Sequence, residues 1–357
     1  QTWTGINVHV NNVTIVGFDA SIFSISISNL DILYNGASAN NSKLNWDNLT
    51  TDGDVSGFEG LVNTLDLQIS GYMTLSVVNF VQIRGGFAFS LSSDLVVTLA
   101  GGNIQKTVSV MTIGFEDVDV FVGNGPYFTD DDGTPTVNTD AVGLLLKDID
   151  IALALFDATS TSDSSSFYAL SARAETIELL GFDLGGDSFS LDASGYRVEI
   201  NNGKDGSGNS AAIDFTKLVG GKFTVPTGIT SVDFEYSSSL LRIAVENAVL
   251  IIDDFVHISG GFAFTKQENL LVTLSNDTPQ TVDVLAFGAG NVDIFIGSGP
   301  YFEDSSGDGI IDYNDDRNPD AVGLVVESAN FGLVIMTPTA SQTVKYTALK
   351  VTADYVG

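Results

Sequence analysis

Apolar residues in this chain recur at every second position. In LLLKDIDIALAL (144–155) they stand at Leu144, Leu146, Ile149, Ile151, Leu153 and Leu155, and in LRIAVENAVLII (241–252) at Leu241, Ile243, Val245, Ala248, Leu250 and Ile252. VHVNNVTIV (8–16) and GLVVESANFGLVI (323–335) read the same way. A period of two is the pattern of a strand with one buried face. Each segment also contains a three-residue step, which in a straight strand would turn every later side chain to the wrong face. A corner or bulge restores the phase. Asn12, Asn29, Asp148, Asn247 and Asn291 stand where one is needed, and Asn and Asp tolerate the left-handed backbone such a corner uses. Helical periodicity is almost absent, so the chain is predicted to be all-β.

Two architectures satisfy this pattern. In a β-solenoid (parallel β-helix-like) the corners separate stacked strands, and this is the leading expectation. In an elongated antiparallel β-meander or sandwich the same corners are bulges in long bent strands. LLVTLSNDTPQTVDVL (270–285) reads as a hairpin and favours the second architecture locally.

The pattern is written twice. FVQIRGGFAF (80–89) matches FVHISGGFAF (255–264) at eight of ten positions, VDVFVGNGPYF (118–128) matches VDIFIGSGPYF (292–302), and DAVGL occurs at 140–144 and 320–324. The N-terminal parts align more weakly, VGFDASIFSISISNLDILYN (16–35) against LGFDLGGDSFSLDASGYRVEIN (180–201). YTALKVTADYVG (346–357) resembles YALSARAETIELLG (168–181) and reads as the start of a third copy. The expected organisation is repeat unit 1 at 1–167, repeat unit 2 at 168–345 and the start of a third unit at 346–357. Stacked repeats of this length share a continuous core. With Gln1 at the N-terminus, the sequence reads as a piece cut from a longer array.

Charge narrows the partners. Forty-five Asp and Glu face 14 Lys and Arg, giving a net charge of −31. Such a chain repels nucleic acid and anionic lipid and attracts cations. It has no cysteine, which excludes disulfides, thiol catalysis and Cys-based metal sites. No apolar run is long enough to predict a membrane-spanning helix, so no membrane insertion is expected.

The acidic residues concentrate where the two copies differ most. YFTDDDGTPTVNTDAVGL (127–144) becomes YFEDSSGDGIIDYNDDRNPDAVGL (301–324), which is six residues longer. Within the longer version, Asp304, Ser306, Asp308, Asp312 and Asp315 occupy positions 1, 3, 5, 9 and 12 of a twelve-residue loop, with Gly309 at 6 and Ile311 at 8. This is the spacing of a calcium loop, in which oxygen side chains and the backbone carbonyl of position 7, here Ile310, surround a hard dication. The expected cofactor is therefore Ca2+. The flanks are strand-like, so the loop is expected without EF-hand helices. The shorter twin keeps Asp130, Asp132 and Asp140 but lacks the middle of the loop, and these three are weaker metal candidates.

FVxIxGGFAF, then VDxFxGxGPYF, then an Asp/Gly loop, then DAVGL is similar to the tandem repeats of giant secreted bacterial cell-surface proteins, of the RTX-adhesin-like, calcium-binding kind. The resemblance implies export, an extracellular or cell-surface location, calcium-dependent rigidity and a structural or adhesive role. Neighbouring repeat units, or identical chains end to end, are the implied partners, with a cell-surface glycan as a possible target.

No catalytic residues are predicted. The two histidines, His9 and His257, do not recur between copies, and no base stands beside a recurring Ser or Thr. The recurring acids Asp19/Asp183 and Asp119/Asp293 read as turn or edge residues. The expected function is a calcium-stabilised structural module of an adhesin, filament or surface layer, and not an enzyme. The alternative is a carbohydrate-binding or polysaccharide-cleaving β-helix, with Trp3, Trp46, Tyr127 and Tyr301 as candidate contacts.

Overall fold

The computed structural model describes residues 2–14, 23–39, 42–51, 56–77, 80–131, 134–138, 140–180, 189–252, 255–303, 305, 315–341 and 343–357. The chain is all-β, and its main sheet is antiparallel. Its strands are β1 (Thr4–Thr14), β2 (Phe23–Gly36), β3 (Leu65–Val77), β4 (Val81–Thr98), β5 (Gln105–Asn124), β8 (Val142–Ala158), β9 (Ser166–Leu180), β10 (Phe189–Lys204), β13 (Leu240–Ile252), β14 (Val256–Thr273), β15 (Pro279–Ser298), β18 (Val322–Pro338) and β19 (Tyr346–Thr352), hydrogen-bonded in that order, and β20 (Tyr355–Val356) pairs β18 beside β19. Three small hairpins stand off the sheet: β6 (Phe128–Asp131) with β7 (Thr134–Val137), β11 (Phe223–Pro226) with β12 (Ser231–Phe234), and β16 (Phe302–Glu303) with β17 (Asp316–Arg317). One short helix, α1 (Trp46–Thr51), lies between β2 and β3.

The solenoid expectation is overturned, because the main sheet is antiparallel, with turns between several of its strands. The hairpin read at 270–285 is one such turn. Leu274 N–H donates to the Thr278 carbonyl at 2.9 Å, and Asp277 takes a left-handed φ of 61°. The three-residue steps are bulges, except the one expected at Asn12. Asn29, Asp148 and Asn291 have φ of 51°, 50° and 52°. The pairing of β13 with β14 slips between Val245 and Ala248, beside Asn247. Asn12 sits in unbroken register opposite Ser28.

The paired glycines of GGFAF lie opposite a bulge. Register shifts between Arg84 and Gly86, and between Ser259 and Gly261. A Cβ on Gly85 (φ 153°) would lie 2.7 Å from Val118 Cα, and one on Gly260 (φ 142°) 2.9 Å from Val292 Cα. Only glycine fits both the backbone angle and the approach.

The chain divides into two compact units, residues 1–172 with 199–239 and residues 173–198 with 240–357. In the first, alternation on β5 turns Val108, Val110, Thr112, Gly114 and Glu116 to one face, where all are buried. The segment after β10 folds back over that face. Its Ile213, Phe215, Val225 and Phe234 interleave with Val97, Phe156, Phe167, Ala152 and Ala154. Phe215 is central, with ring centroids of Phe156, Phe234 and Phe223 at 5.8, 5.7 and 6.0 Å.

Two polar devices fasten this cover. Asn201, fully buried, donates its amide to the carbonyls of Ile213 and Ser238, both at 2.8 Å, and so ties together the two ends of the covering segment. Asn35 does the same for the segment carrying α1, through Leu44 and Val62 at 2.9 Å each. The second device is Glu116. Its carboxylate accepts Thr227 Oγ1 at 2.9 Å and Thr230 N–H at 2.7 Å, and also the N–H of Ile229 and the hydroxyl of Thr230. Gly86 and Gly228 leave it room, since a Cβ on either would approach its atoms within 2.5 and 2.8 Å.

In the second unit, Phe295, Tyr301, Phe302 and Val325 form a core cluster. Gly288 pairs with Gly332 there, and Gly290 stands two residues on in β15. Nothing lies within 4 Å of a Cβ built on Gly332.

Burial alone would raise the Glu116 pKa, but its hydrogen bonds outweigh that and hold it below the ordinary value of 4.5. A carboxylate stabilised when folded contributes fully above its unfolded pKa, and the contribution fades as pH falls toward the folded one. Glu116→Gln keeps the shape but turns an amide toward donors, so it should cost about 2–4 kcal/mol at pH 7. Urea titrations should show parent and variant converging below pH 4.5.

Candidate metal centre

Both acidic loops rise from the same stem. In the first unit β5 ends in a Gly-Pro-Tyr-Phe turn, and Tyr127 stacks on Phe121 (5.4 Å) and meets Phe128 edge-on (4.7 Å). In the second, Tyr301 stacks on Phe295 (5.0 Å) and meets Phe302 edge-on (4.7 Å). An asparagine closes each stem. Asn138 donates its amide to the Pro126 carbonyl (2.9 Å) and its N–H to the Tyr127 carbonyl (2.8 Å), while its Oδ1 accepts Asp140 N–H (3.0 Å). Asn318 repeats each bond with Pro300 (3.0 Å), Tyr301 (2.9 Å) and Asp320 (2.9 Å). These asparagines were missed in the sequence, although they recur at the same spacing as DAVGL.

Of the expected calcium ligands, Asp315 is described. It is buried, and its Oδ1 accepts the N–H of Ser305 at 3.0 Å. Ser305 Oγ in turn accepts Asp316 N–H at 2.8 Å, so the two ends of the loop are tied at its mouth. Asp304, Ser306, Asp308, Ile310 and Asp312 lie outside the described residues. In the twin, Asp130 lies in β6 opposite Pro135, Asp132 lies outside the described residues, and Asp140 is an exposed turn residue. Among the described residues no three His, Asp or Glu side chains gather as a metal site.

Beneath each stem lies a buried aspartate, Asp119 or Asp293, read from sequence as a turn or edge residue. Each accepts the N–H of a left-handed bulge residue on the next strand: Asp119 from Asp148 (3.2 Å) and Asp293 from Ser328 (2.8 Å). Their counter-groups differ. Asp119 Oδ2 accepts Arg84 Nε (2.9 Å) and Nη2 (2.7 Å), and the guanidinium lies 3.8 Å over the Phe128 ring. Opposite Asp293 stands Ser259, whose buried Oγ has no hydrogen-bond partner among the described residues.

The neighbouring positions also differ. Gln82 accepts the N–H groups of Tyr127 (2.7 Å) and Phe128 (2.9 Å), whereas its counterpart His257 meets the Phe302 ring edge-on at 5.5 Å. The longer loop has its own ion pair at the base. Arg317 meets Glu327 at 2.8 Å, and Tyr301 donates its hydroxyl to the same carboxylate. Burial first, and then this hydrogen bond, push the Tyr301 pKa up to about 12.

The stem holds one loop carboxylate, Asp315, in the protein interior. His257, Ser259 and Asp293 are 4, 1 and 6% exposed, so they shape the base of the stem and are closed to a substrate. Comparison with protein-family models, with curated proteins and with solved structures finds no match for this chain.

Removing Asp119 strands a partly buried guanidinium as well as a bulge N–H, whereas removing Asp293 strands the N–H alone. Asp119→Ala should therefore cost about 3–5 kcal/mol and Asp293→Ala about 1–3 kcal/mol. Amide hydrogen exchange at Asp148 and Ser328 reads each effect where it acts.

Proposed function

We propose that this chain is a structural repeat module of a large extracellular or cell-surface protein, with Ca2+ held in the loop from Asp304 to Asp315. The observation that carries the reading is the doubled stem. The same asparagine-closed, aromatic-packed mount is built twice, and one copy bears a loop with the full calcium spacing. Side chains of Asp304, Ser306, Asp308, Asp312 and Asp315, with the Ile310 carbonyl, would supply the oxygens. The ion offsets the convergence of acids in a chain of net charge −31. Bound across the loop, it stiffens the loop and the stem that carries it.

The carbohydrate alternative loses its β-helix form with the antiparallel sheet. Its aromatic candidates are also engaged in packing: Trp46 lies 5.5 Å from Phe58 and donates Nε1 to Asn35, and Tyr127 and Tyr301 are buried in the stems.

An ion that binds only the folded state adds about 2.7 kcal/mol at a hundredfold excess over its Kd. Calcium should raise the Tm by on the order of 5–10 °C, and a chelator should reverse this. The Asp304→Ala, Asp308→Ala double variant should lose most of the response, while Asp130→Ala keeps it. A double variant that responds like the parent sinks the site.

A further inference from the structure

Two equivalent carboxylates lie buried beneath the two stems, and only one has a counter-charge in the chain. Asp119 accepts Arg84 Nε and Nη2 at 2.9 and 2.7 Å. Asp293 keeps its twin's bond to a bulge N–H, from Ser328 to Oδ1 at 2.8 Å, and is 6% exposed. None of the 14 Lys and Arg side chains pairs with it, and all of them lie among the described residues. His257, two residues along β14 from Ser259, packs against the Phe302 ring instead. Taking a carboxylate out of water without a counter-charge is strongly unfavourable.

The residue facing Asp293 gives a second, independent observation. Ser259 stands directly opposite it in the pairing of β14 with β15, as Arg84 stands opposite Asp119 in the pairing of β4 with β5. Ser259 is 1% exposed, and its Oγ has no hydrogen-bond partner among the described residues. Side chains directly opposite on one face of a strand pair are close enough to share a ligand. These two do not bond each other, so a buried anionic oxygen and a buried hydroxyl oxygen face the same point. Serine in place of arginine also withdraws the guanidinium, and the methylenes that carry it, from that position.

We propose that Asp293 and Ser259 hold a monovalent metal cation, Na+ or K+, in the place that the Arg84 guanidinium takes in the first unit. Charge selects the ion. One carboxylate balances one positive charge, whereas a divalent ion would leave a surplus in the interior. Both ligands are hard oxygens, which suit an alkali ion and offer nothing to a soft metal. The enclosure that closes this place to a substrate admits a bare ion, and a chain of net charge −31 concentrates cations around itself. This ion is separate from the calcium proposed between Asp304 and Asp315, and neither requires the other.

Melting of the whole chain tests it, in a chelator that keeps divalent ions away. Choline chloride replaces NaCl or KCl at constant ionic strength, so that screening is the same throughout. At about a tenfold excess over Kd, sodium or potassium should raise the parent Tm by about 3 °C relative to choline. Asp293→Asn keeps an acceptor for the Ser328 N–H, removes the charge and should lose the response. Asp277→Asn, at an exposed turn, removes the same charge and should keep it. Ser259→Arg supplies the cation covalently and should melt at the same temperature in choline as in sodium. Crystals soaked in rubidium chloride should show an anomalous peak between Asp293 and Ser259. A parent that melts alike in choline and in alkali chloride overturns the proposal, and so does an Asp293→Asn variant that responds like the parent. A rubidium peak missing from this place does the same. Should Ser259→Arg fail to fold, the Asn variants and the rubidium peak still decide. Calcium is absent throughout, so a failure of the loop site does not touch these outcomes.

Discussion

A single left-handed residue in mid-strand decides what every residue beyond it faces. At Asp117 and Asn291 the backbone turns through φ of 47° and 52°, and the strand resumes with its alternation reset. Before the bulge, β5 turns Val110, Thr112 and Gly114 to the covered side. After it, the buried positions are Val118, Asp119, Phe121 and Gly123. Asp119 then reaches the N–H of the next strand's own bulge residue, Asp148, and so locks two adjacent irregularities in register. Move the bulge by one residue, and Glu116 loses its loop while Phe121 leaves the aromatic stem. The covering segment and the acidic hairpin are on opposite sides of this point along the strand, and both are placed by it.

This constraint explains why the sequence could be read so far and no further. Alternation, the phase slip and the Asn or Asp at the slip are all local, so the strands and their irregularities were legible. The choice between solenoid and meander was not, because a corner between stacked strands and a bulge within one strand demand the same residues. What separates them is the partner of each strand, and that depends on turns such as Leu274–Thr278, where Asn276 and Asp277 made the hairpin visible. The turn between β4 and β5 carries Gly101 and Gly102, a signal of the same kind that was not read.

The candidate site divides along the same line. The oxygen spacing of Asp304 to Asp315 is a local pattern and was visible. The stem that mounts it depends on Asn318 reaching back to Pro300, eighteen residues away, and on Glu327 meeting Tyr301 from another strand. Recurrence was the one available clue, since Asn138 and Asn318 hold equivalent places. Glu116 offered not even that. Its counterpart is Gly290, and the loop that holds it lies more than a hundred residues further along the chain. A lone acid in a strand reads as solvent-facing until its hydrogen-bond donors are known.

The differences between the two copies follow from what each must hold in place. Where the first unit has Glu116, hydrogen-bonded to the Thr227–Thr230 loop, Arg84, paired with Asp119, and Gln82, hydrogen-bonded to the stem, the second has Gly290, Ser259 and His257. It has lost the internal charge network of its twin, and its short hairpin β16–β17 pairs over only two residues on each side. Polar fastening is costly to bury unless it is complete, so a repeat can shed it only as a set. Losing Arg84 alone would leave Asp119 without its counter-charge, and losing Glu116 alone would leave four donors in the Thr227–Thr230 loop without their acceptor. In the second unit the set is absent together, and the sequence between Phe302 and Asn318 carries the added acids. A cation bound there would replace, from outside the chain, the neutralisation that Arg84 supplies from within in the first unit.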